Sequence, residues 1–299
     1  MVMGKNMDMD MDIKINNQKN MKQFKFTIFT PVYNGAKTFY RVFESLQNST
    51  YKNFEWIIIN DGSTDNSDEV IRNFINGIDW DIKYIDHDKN QGKHIIWNEA
   101  VKLASGDLWL PIDCDDAFVP NSLEFYNEKW NEYCNDSEVY GIDTLCFNPI
   151  DDSVIGSLYP FEGKKTTYLE MRHKYHVTGE KWGTVRLEYL KKVLFPELPG
   201  HFFTGPILWN TLGMKYKVIP FNQKLRKYYI EPSSICHSRV LHKNTVDMFL
   251  FYYKWLIKHF GWYILKTDFK GFIKMSNLIL HYIAWHYIMT ILKIKSIQK

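Results

Sequence analysis

The sequence has few cysteines, and its first twenty residues contain few apolar side chains other than methionine. Its 299 residues include only Cys114, Cys134, Cys146 and Cys236, and no two of them form a C-x-x-C pair. Pairs at that spacing are typical of zinc sites, and cysteine sets in short secreted chains are typical of disulfide frameworks. The first twenty residues contain no apolar segment that would direct secretion. We therefore expect reduced thiols in a cytoplasmic protein, with no structural zinc.

The chain also lacks a strong excess of charge. It has 37 Lys and Arg residues against 34 Asp and Glu residues, a net charge of +3, and the two signs are interspersed. Nucleic-acid-binding domains usually carry clustered basic residues, so nucleic acid is not an expected partner. With 45% hydrophobic residues, the chain can bury a large core, which predicts one large globular domain, alone or with an appendage.

The most informative stretch runs from residue 106 to residue 116. Residues 108–112 have the short apolar pattern of a buried parallel strand, and Asp113, Asp115 and Asp116 follow. Ligands of open α/β sheets bind at the carboxyl ends of strands, and alternate residues of an extended chain point the same way. Asp113 and Asp115 would then hold Mg²⁺ or Mn²⁺ together with substrate phosphates. The alternative is a solvated acidic turn.

Strands and helices alternate upstream of this stretch. Strands are predicted at residues 24–30, 54–60 and 82–85, and helices at residues 36–46, 66–74 and 93–104. Short connections and right-handed crossovers between such elements give a parallel sheet of the nucleotide-binding type. The pattern therefore predicts an α/β fold, with a mostly parallel sheet flanked by helices.

Four polar motifs follow the predicted strands. They occupy residues 30–34, 60–65, 90–94 with Asn98, and 104–107 leading to 113–116. In this order and spacing, from about Phe24 to Pro120, they resemble the family 2 glycosyltransferases, which have the GT-A fold. The resemblance implies inverting transfer of a sugar from a nucleotide diphosphate donor, usually a UDP-sugar, to a sugar or lipid-linked acceptor, with a divalent metal. It also implies that Asp113 and Asp115 are the D-x-D that ligates metal and ribose.

The residues themselves are compatible with that donor site. Tyr33 can stack on a base, Asp61 can accept the imide N–H of uracil, and Lys93 can meet the diphosphate at a helix N-terminus. The resemblance assigns the nucleotide roles to Tyr33 and Asp61, places Pro31 beside them, and makes Asp116 a third oxygen donor or a loop brace. The alternatives are a core ring for Tyr33, a helix cap for Asp61 and a solvent-facing Lys93.

The catalytic base is the point at which the sequence departs from its relatives. Residues 179–183 and 195–197 resemble the acceptor side of a bacterial subgroup in which a glutamate follows shortly before a tryptophan. Gly205 stands where that glutamate is expected. An inverting transfer needs a group that accepts the proton of the acceptor hydroxyl. Glu197, His201 and Glu180 are the available substitutes, and the sequence does not choose among them.

Two further residues are candidates for the far side of the donor site. Arg226 lies in a segment that resembles the closing segment of the subgroup, where a basic residue neutralises the leaving diphosphate. His237 could do the same or add a metal ligand. For each, the alternative is a surface residue or a core residue with its polar atoms satisfied.

The acceptor half is less clearly patterned. A helix is predicted at residues 121–133, a strand at 138–147 and an extended piece at 154–160. The predicted domains are a disordered tail (residues 1–22), a catalytic domain (23–240, with a donor half at 23–120 and an acceptor half at 121–240) and an aromatic helical extension (241–299).

The extension has two apolar segments. Residues 246–260 carry a helical stripe, and residues 275–292 are uncharged but interrupted by Ser276, Asn277, His281 and His286. Those polar residues disfavour a membrane span. Packing on the catalytic domain and peripheral contact with an anionic membrane remain open as equal alternatives.

The sequence therefore predicts a metal-dependent, inverting glycosyltransferase that builds a surface polysaccharide or a lipid-linked glycan. Two other functions remain open. A nucleotidyltransferase would need a glycine- and lysine-rich triphosphate loop near the N-terminus, which the sequence lacks. A non-catalytic or subunit-dependent nucleotide-sugar-binding module would bind the donor without turnover.

Overall fold

The computed structural model describes residues 21–197, 204–230 and 243–297. His201, His237 and Cys236 lie outside the described residues, as do residues 1–20 of the predicted tail. The strands are β1 (Phe26–Val32), β2 (Phe54–Asp61), β3 (Asp81–His87), β4 (Leu108–Pro111), β5 (Ala117–Phe118), β6 (Val139–Phe147), β7 (Lys181–Arg186) and β8 (Lys217–Lys227). They form one mixed sheet in the order β3-β2-β1-β4-β7-β6-β8-β5.

The donor half of the sheet is parallel, as the sequence predicts. β1 pairs with β2 and β4, and β2 pairs with β3, all in parallel register. The helices between these strands are α1 (Tyr40–Gln47), α2 (Ser67–Ile75) and α3 (Lys93–Leu103). α1 begins later than predicted because the N–H groups of Thr38 and Phe39 both donate to Gly35 O, each at 3.0 Å, in a turn that precedes the helix.

The acceptor half changes strand direction. β7 is antiparallel to β4 and β6, β6 is parallel to β8, and β5 is antiparallel to β8. The helix and the long strand predicted here are confirmed as α4 (Ser122–Tyr133) and β6. The extended piece predicted at residues 154–160 is wrong: Val154 makes a single bridge to Phe147, and the chain then turns at Gly156, where φ is 85°. Three short helices complete this half: α5 (Tyr168–His173), α6 (Leu187–Leu190) and α7 (Gly205–Gly213).

The core lies on both faces of the sheet. All residues of β2 are buried, as expected for a central strand that is covered by helices on either side. Trp56 and Ile58 pack into the cluster on one face, and Ile57 and Ile59 into the cluster on the other. This alternation anchors the strands, so that their carboxyl ends form a rigid edge for polar loops.

The helical extension consists of α8 (Lys243–Thr267) and α9 (Phe269–Ile297). Leu256, Ile264 and Met275 are buried in a cluster with Leu169 of α5. The two helices therefore pack on the catalytic domain through their inner face, as one of the two alternatives predicts. Among the helices that the structure describes, none combines the length and the apolar character needed to cross a membrane.

Candidate active site

The acidic stretch after β4 forms a turn, and the extended backbone predicted for it is wrong. β4 ends at Pro111, and the N–H of Asp116 donates to the carbonyl oxygen of Asp113 at 3.1 Å. The turn nevertheless lies at the carboxyl end of β4, where the sequence places it. It gathers three carboxylates at the edge of the sheet where open α/β folds bind their ligands.

Asp113 is held between two cations. Lys93 Nζ lies 2.5 Å from Oδ1, and Arg226 Nη2 donates to Oδ2 at 2.8 Å. Burial alone would raise the pKa of Asp113, but the charges of Lys93 and Arg226 outweigh it and hold that pKa well below its usual range. Asp113 is therefore ionised, and both predicted phosphate-binding cations face this single carboxylate.

Asp116 braces the turn against the acceptor half. Arg226 Nε donates to its Oδ2 at 2.7 Å, Arg226 Nη2 contacts the same oxygen, and the backbone N–H of Tyr229 donates to Oδ1 at 3.0 Å. The pairing of β5 with β8 places Phe118 opposite Arg226, which brings the guanidinium to the turn. Because the Asp116 side chain is only 2% exposed, against 34% for Asp113, the contacts favour the loop brace over the third metal ligand for Asp116.

Asp115 differs from its two neighbours. Its carboxylate has no salt bridge with any described residue, although Arg41 Nη1 donates to its backbone carbonyl oxygen at 2.7 Å. Burial and the nearby charge of Asp113 raise the pKa of Asp115. A bound divalent cation would relieve this unfavourable charge.

The acidic turn fits a divalent metal. Mg²⁺ and Mn²⁺ need only one or two protein carboxylates when substrate phosphates supply the other ligands, and Asp115 with Asp113 can provide them. A site made by protein alone would need more: the described residues contain no group of three or more His, Cys, Asp or Glu side chains placed to hold a metal.

The predicted nucleotide-binding residues lie at or just beyond the carboxyl ends of β1 and β2. Tyr33 follows β1 and is 47% exposed, so it is not a core ring. Pro31 lies within β1, where it is the register partner of Ile59. Asp61 is buried at the end of β2 and accepts the N–H groups of Gln91 and Gly92 at 2.7 and 2.9 Å. It thereby braces the loop before α3, and a carboxylate still has lone pairs for one more donor.

A cavity of about 390 Å³ lies beside the acidic turn. Lys93, Asp113 and Arg226 contribute to its lining, so the cavity and the acidic turn are continuous. Much of the remaining lining is aromatic and includes Trp97, Tyr159, Tyr168, Trp182, Trp209 and Tyr252. Cavities of this size, with an apolar lining and a few polar groups, are typical of sites for small organic ligands.

The helical extension closes part of this cavity. Met248, Phe249 and Tyr252 of α8 belong to its lining, together with Tyr168 and Arg172 of α5. The extension is therefore part of the candidate site as well as an appendage to the fold. The sequence did not predict this contact, because a helical stripe does not identify the surface on which it packs.

Three polar groups in the cavity lack a hydrogen-bond partner among the described residues. The hydroxyls of Tyr159 and Thr204 are buried and unpaired. The third is the carboxylate of Asp143, on β6. Burial raises the pKa of Asp143 to about 6, and the charges of Lys181 and Arg172 offset this only in part. Buried polar groups are nearly always hydrogen-bonded, so the two hydroxyls indicate a polar ligand, and the partly exposed carboxylate of Asp143 lines the same cavity.

The predicted base candidates are placed differently. Glu180 is exposed and lines the cavity, whereas Glu197 is exposed and does not belong to the lining. Gly205 is the first residue of α7 and lines the cavity, so the position of the expected glutamate is at the site although its side chain is missing.

Asp143 was missed by the sequence reasoning, although a signal was present. It is the single charged residue in the apolar strand of residues 139–147. A lone carboxylate in a buried strand is costly unless it is paired or functional, and that cost identifies it as a candidate.

Comparison with known proteins identifies the class. Residues 27–194, more than half of the chain, match the family model described as Glycosyl transferase family 2. This range runs from β1 to the segment that follows α6, and it includes the acidic turn and Asp143. The chain belongs to glycosyltransferase family 2.

Individual relatives are similar over somewhat more than a third of the chain. A teichoic acid poly(glycerol phosphate) polymerase of Staphylococcus epidermidis is 33% identical over 107 residues, which cover 36% of this chain and 15% of the relative. Glycosyltransferase GlyA of Streptococcus pneumoniae is 34% identical over 115 residues, covering 38% of this chain and 16% of the relative. The chain therefore matches only a small part of the length of either protein.

Solved structures extend the likeness to the whole fold. S. aureus TarS 1-349 in complex with UDP-GlcNAc has a TM-score of 0.60 at 17% identity, covering 88% of this chain and 72% of TarS 1-349. The mannosyltransferase PcManGT from Pyrobaculum calidifontis, in complex with GDP-Man and Mn²⁺, has a TM-score of 0.51 at 16% identity, covering 88% of this chain and 70% of its own. The predicted GT-A type fold is confirmed.

Proposed function

We propose that the protein is an inverting glycosyltransferase that uses a nucleotide diphosphate sugar, specifically a UDP-sugar. The observation that carries this proposal is the acidic turn at the end of β4, where Asp113 and Asp115 lie beside Lys93 and Arg226 at the mouth of an aromatic cavity. Two carboxylates and two cations at one sheet edge suit a metal-bound diphosphate, because each charge on the ligand meets an opposite charge on the protein.

Each part of the donor has a counterpart in this site. Tyr33 presents an exposed ring to a base, and Asp61 has a remaining lone pair for the imide N–H of uracil. Asp113 and Asp115 would hold Mg²⁺ or Mn²⁺, which when bound stabilises the negative charge on the departing diphosphate. Lys93 and Arg226 bind the same phosphates, and Arg226 remains anchored by Asp116 while it does so.

The acceptor belongs to a surface polysaccharide or a lipid-linked glycan. The similarity to a teichoic acid poly(glycerol phosphate) polymerase supports an acceptor of this kind. The aromatic cavity supports a carbohydrate acceptor, since sugar rings present apolar faces that pack on aromatic rings and hydroxyls that need polar partners.

We also propose a cytoplasmic location with peripheral membrane contact through α8 and α9. Trp262, Phe269, Leu280 and Tyr287 are between 62% and 70% exposed. Exposed lysines accompany them on the same helices, and Asp268 is the only acidic residue after residue 247. Aromatic and basic side chains together favour the surface of an anionic membrane, where a lipid-linked acceptor would be found.

A non-catalytic nucleotide-sugar-binding module is the second candidate. The presence of Gly205 where relatives of the subgroup have a glutamate is the observation that favours it. Both the transferase and the binding module would bind the nucleotide-sugar, but only the transferase would turn it over.

The test is a calorimetric titration of the full-length chain with UDP in the presence and absence of Mn²⁺, followed by UDP-release assays with a panel of UDP-sugars. The proposal expects Mn²⁺-dependent UDP binding and release of UDP from at least one sugar. Absence of UDP binding would exclude both candidates, and binding without release from any sugar would favour the second.

A further inference from the structure

We propose that Asp143 is the catalytic base of the transfer, taking the proton of the acceptor hydroxyl in the cavity that α8 closes. The inference rests on the proposed glycosyltransferase function and adds a residue to it. It is carried by the position of Asp143 in the sheet, by its lack of a partner among the described residues, and by two unpaired hydroxyls that line the same cavity.

The position of Asp143 suits a base that faces the donor across a sugar ring. β4, which ends at the acidic turn, and β6, which carries Asp143, are both neighbours of β7 in the sheet. Neighbouring strands lie about 4.8 Å apart, so β4 and β6 are separated by about 10 Å. Asp113 of the acidic turn and Asp143 both line the same cavity, so a donor held at the turn and an acceptor held at Asp143 can meet there.

The link between these strands is direct. Trp182 Nε1 donates to the carbonyl oxygen of Pro111, the last residue of β4, at 2.6 Å. The next residue, Gly183, is the register partner of Asp143. A side chain at position 183 would overlap Asp143 Oδ1, so the glycine leaves the carboxylate its place in the cavity.

The carboxylate of Asp143 is not used in holding the fold. It makes no hydrogen bond or salt bridge to a described residue, and the two nearest cations are occupied elsewhere. Lys181 Nζ donates to the carbonyl oxygens of Ser157 and Thr178 at 2.8 and 2.9 Å, and the Arg172 guanidinium donates to backbone carbonyl oxygens. These cations moderate the charge of Asp143 without neutralising it.

The surroundings of Asp143 allow it to accept a proton near neutral pH. The charged and titratable groups that face it are Tyr126, Tyr140, Tyr159, Tyr168, Arg172 and Lys181. Burial raises the pKa of Asp143 to about 6, so the group is ionised at neutral pH and more basic than an ordinary aspartate.

The cavity also has groups that can orient an acceptor. The Tyr159 and Thr204 hydroxyls are buried, line the cavity and lack partners among the described residues. A hydroxyl can donate and accept, so the pair can bind the other hydroxyls of an acceptor sugar. In the step itself, the acceptor oxygen forms a bond to the anomeric carbon as the bond to the diphosphate breaks. The bonding electrons leave with the nucleoside diphosphate, and the proton of the acceptor passes to Asp143 and then to solvent.

The experiment measures UDP release from UDP-glucose, UDP-galactose and UDP-N-acetylglucosamine with Mn²⁺, water serving as the acceptor, in the full-length chain. Asp143→Asn should lower the release rate by roughly 10²–10⁴-fold. Its calorimetric affinity for UDP should stay within about twofold, because Asp143 does not touch the acidic turn. Asp151→Asn, the same change at an exposed residue, should leave both quantities unchanged.

Two readouts separate a base from a structural role. The wild-type rate should fall as the pH drops through about 6, and Asp143→Asn should lose this dependence. Added formate should restore part of the activity of Asp143→Ala and have no effect on Asp151→Asn, because a small carboxylate can enter the vacated space.

Other results would overturn the assignment. If Asp143→Asn keeps more than a third of the wild-type release rate, Asp143 is not the base. The same conclusion follows if Glu197→Gln lowers the release rate a hundredfold and Asp143→Asn does not. If the wild-type chain binds UDP but releases it from no sugar, the catalytic assignment fails while the donor site stands. If it does not bind UDP at all, the proposed function fails too.

Discussion

Asp143 on β6 and Gly183 on β7 are register partners, and the carboxylate occupies the space that a side chain at position 183 would need. The pairing places a partly buried carboxylate, without a partner among the described residues, on an inner strand of the sheet. Such an arrangement lowers the free energy of unfolding. Destabilising groups of this kind are found mainly where function requires them.

That cost gives the first prediction. Burial raises the pKa of Asp143 from its ordinary 3.8 to about 6, so between these values the unfolded chain loses its proton while the folded chain keeps it. The destabilisation grows as the pH rises through this window and is complete above pH 6. Asp143→Asn should therefore raise the unfolding free energy at pH 8 by about 2 kcal/mol and have little effect at pH 4. Urea unfolding at the two pH values measures this, and equal effects at both would contradict it.

The second prediction concerns the acidic turn. Asp115→Asn should weaken Mn²⁺-dependent UDP binding at least tenfold, because it removes the one carboxylate of the turn that is free of a salt bridge among the described residues. The melting temperature should hardly change, since Asp115 makes no side-chain contact that braces the sheet. Titration calorimetry with UDP and Mn²⁺ is the measurement, with Asp151→Asn as the matched control. Unchanged affinity would remove Asp115 from the metal site.

The third prediction concerns Glu55, which the sequence did not single out. Glu55 is fully buried at the start of β2 and accepts hydrogen bonds from Thr27, Ser105 and Lys83. Burial alone would raise its pKa, but the hydrogen bonds from Lys83, Thr27 and Ser105 lower it from 4.5 to about 2.

Glu55 therefore stabilises the fold fully above pH 4.5, and this contribution is lost as the pH falls through about 2. Glu55→Gln should lower the free energy of unfolding by about 2 kcal/mol at pH 7, and by progressively less below pH 4.5. Chemical unfolding over that pH range measures the difference. If the loss of unfolding free energy does not vary with pH, the charge of Glu55 is not the source of the stabilisation.

The fourth prediction concerns the membrane. Replacing Trp262, Phe269 and Tyr287 together by serine should reduce binding to vesicles containing anionic lipid about tenfold or more, because the exposed aromatic area is lost. UDP affinity should stay the same, since none of these three side chains lines the cavity. Vesicle co-sedimentation measures the binding.

Truncation after Lys270 is the complementary test. It would remove most of α9, including Met275, which is buried against α8. If the truncated chain still binds UDP but no longer binds vesicles, α9 serves membrane contact. If it loses its fold, α9 is part of the packed structure. If the full-length chain does not bind anionic vesicles, the membrane proposal is wrong.

The sequence by itself determined the donor half. The apolar runs of β1, β2 and β4 are local patterns, and their strand character follows from residues next to each other in the chain. The acidic turn could be placed because a charged group that ends a buried strand must lie at the edge of the sheet. Its detailed shape could not, because the turn closes through a hydrogen bond between Asp116 and Asp113 that no spacing rule predicts.

Only the tertiary structure decided the acceptor side. Arg226 meets Asp116 across 110 residues of sequence, and Asp143 meets Gly183 only because two antiparallel strands adopt one particular register. The register of β6 on β7 and the position of α8 depend on the packing of the whole core. Each residue contributes only a small part of that packing. A sequence can therefore show that Asp143 is unusual, but its place in the cavity follows only from the folded chain.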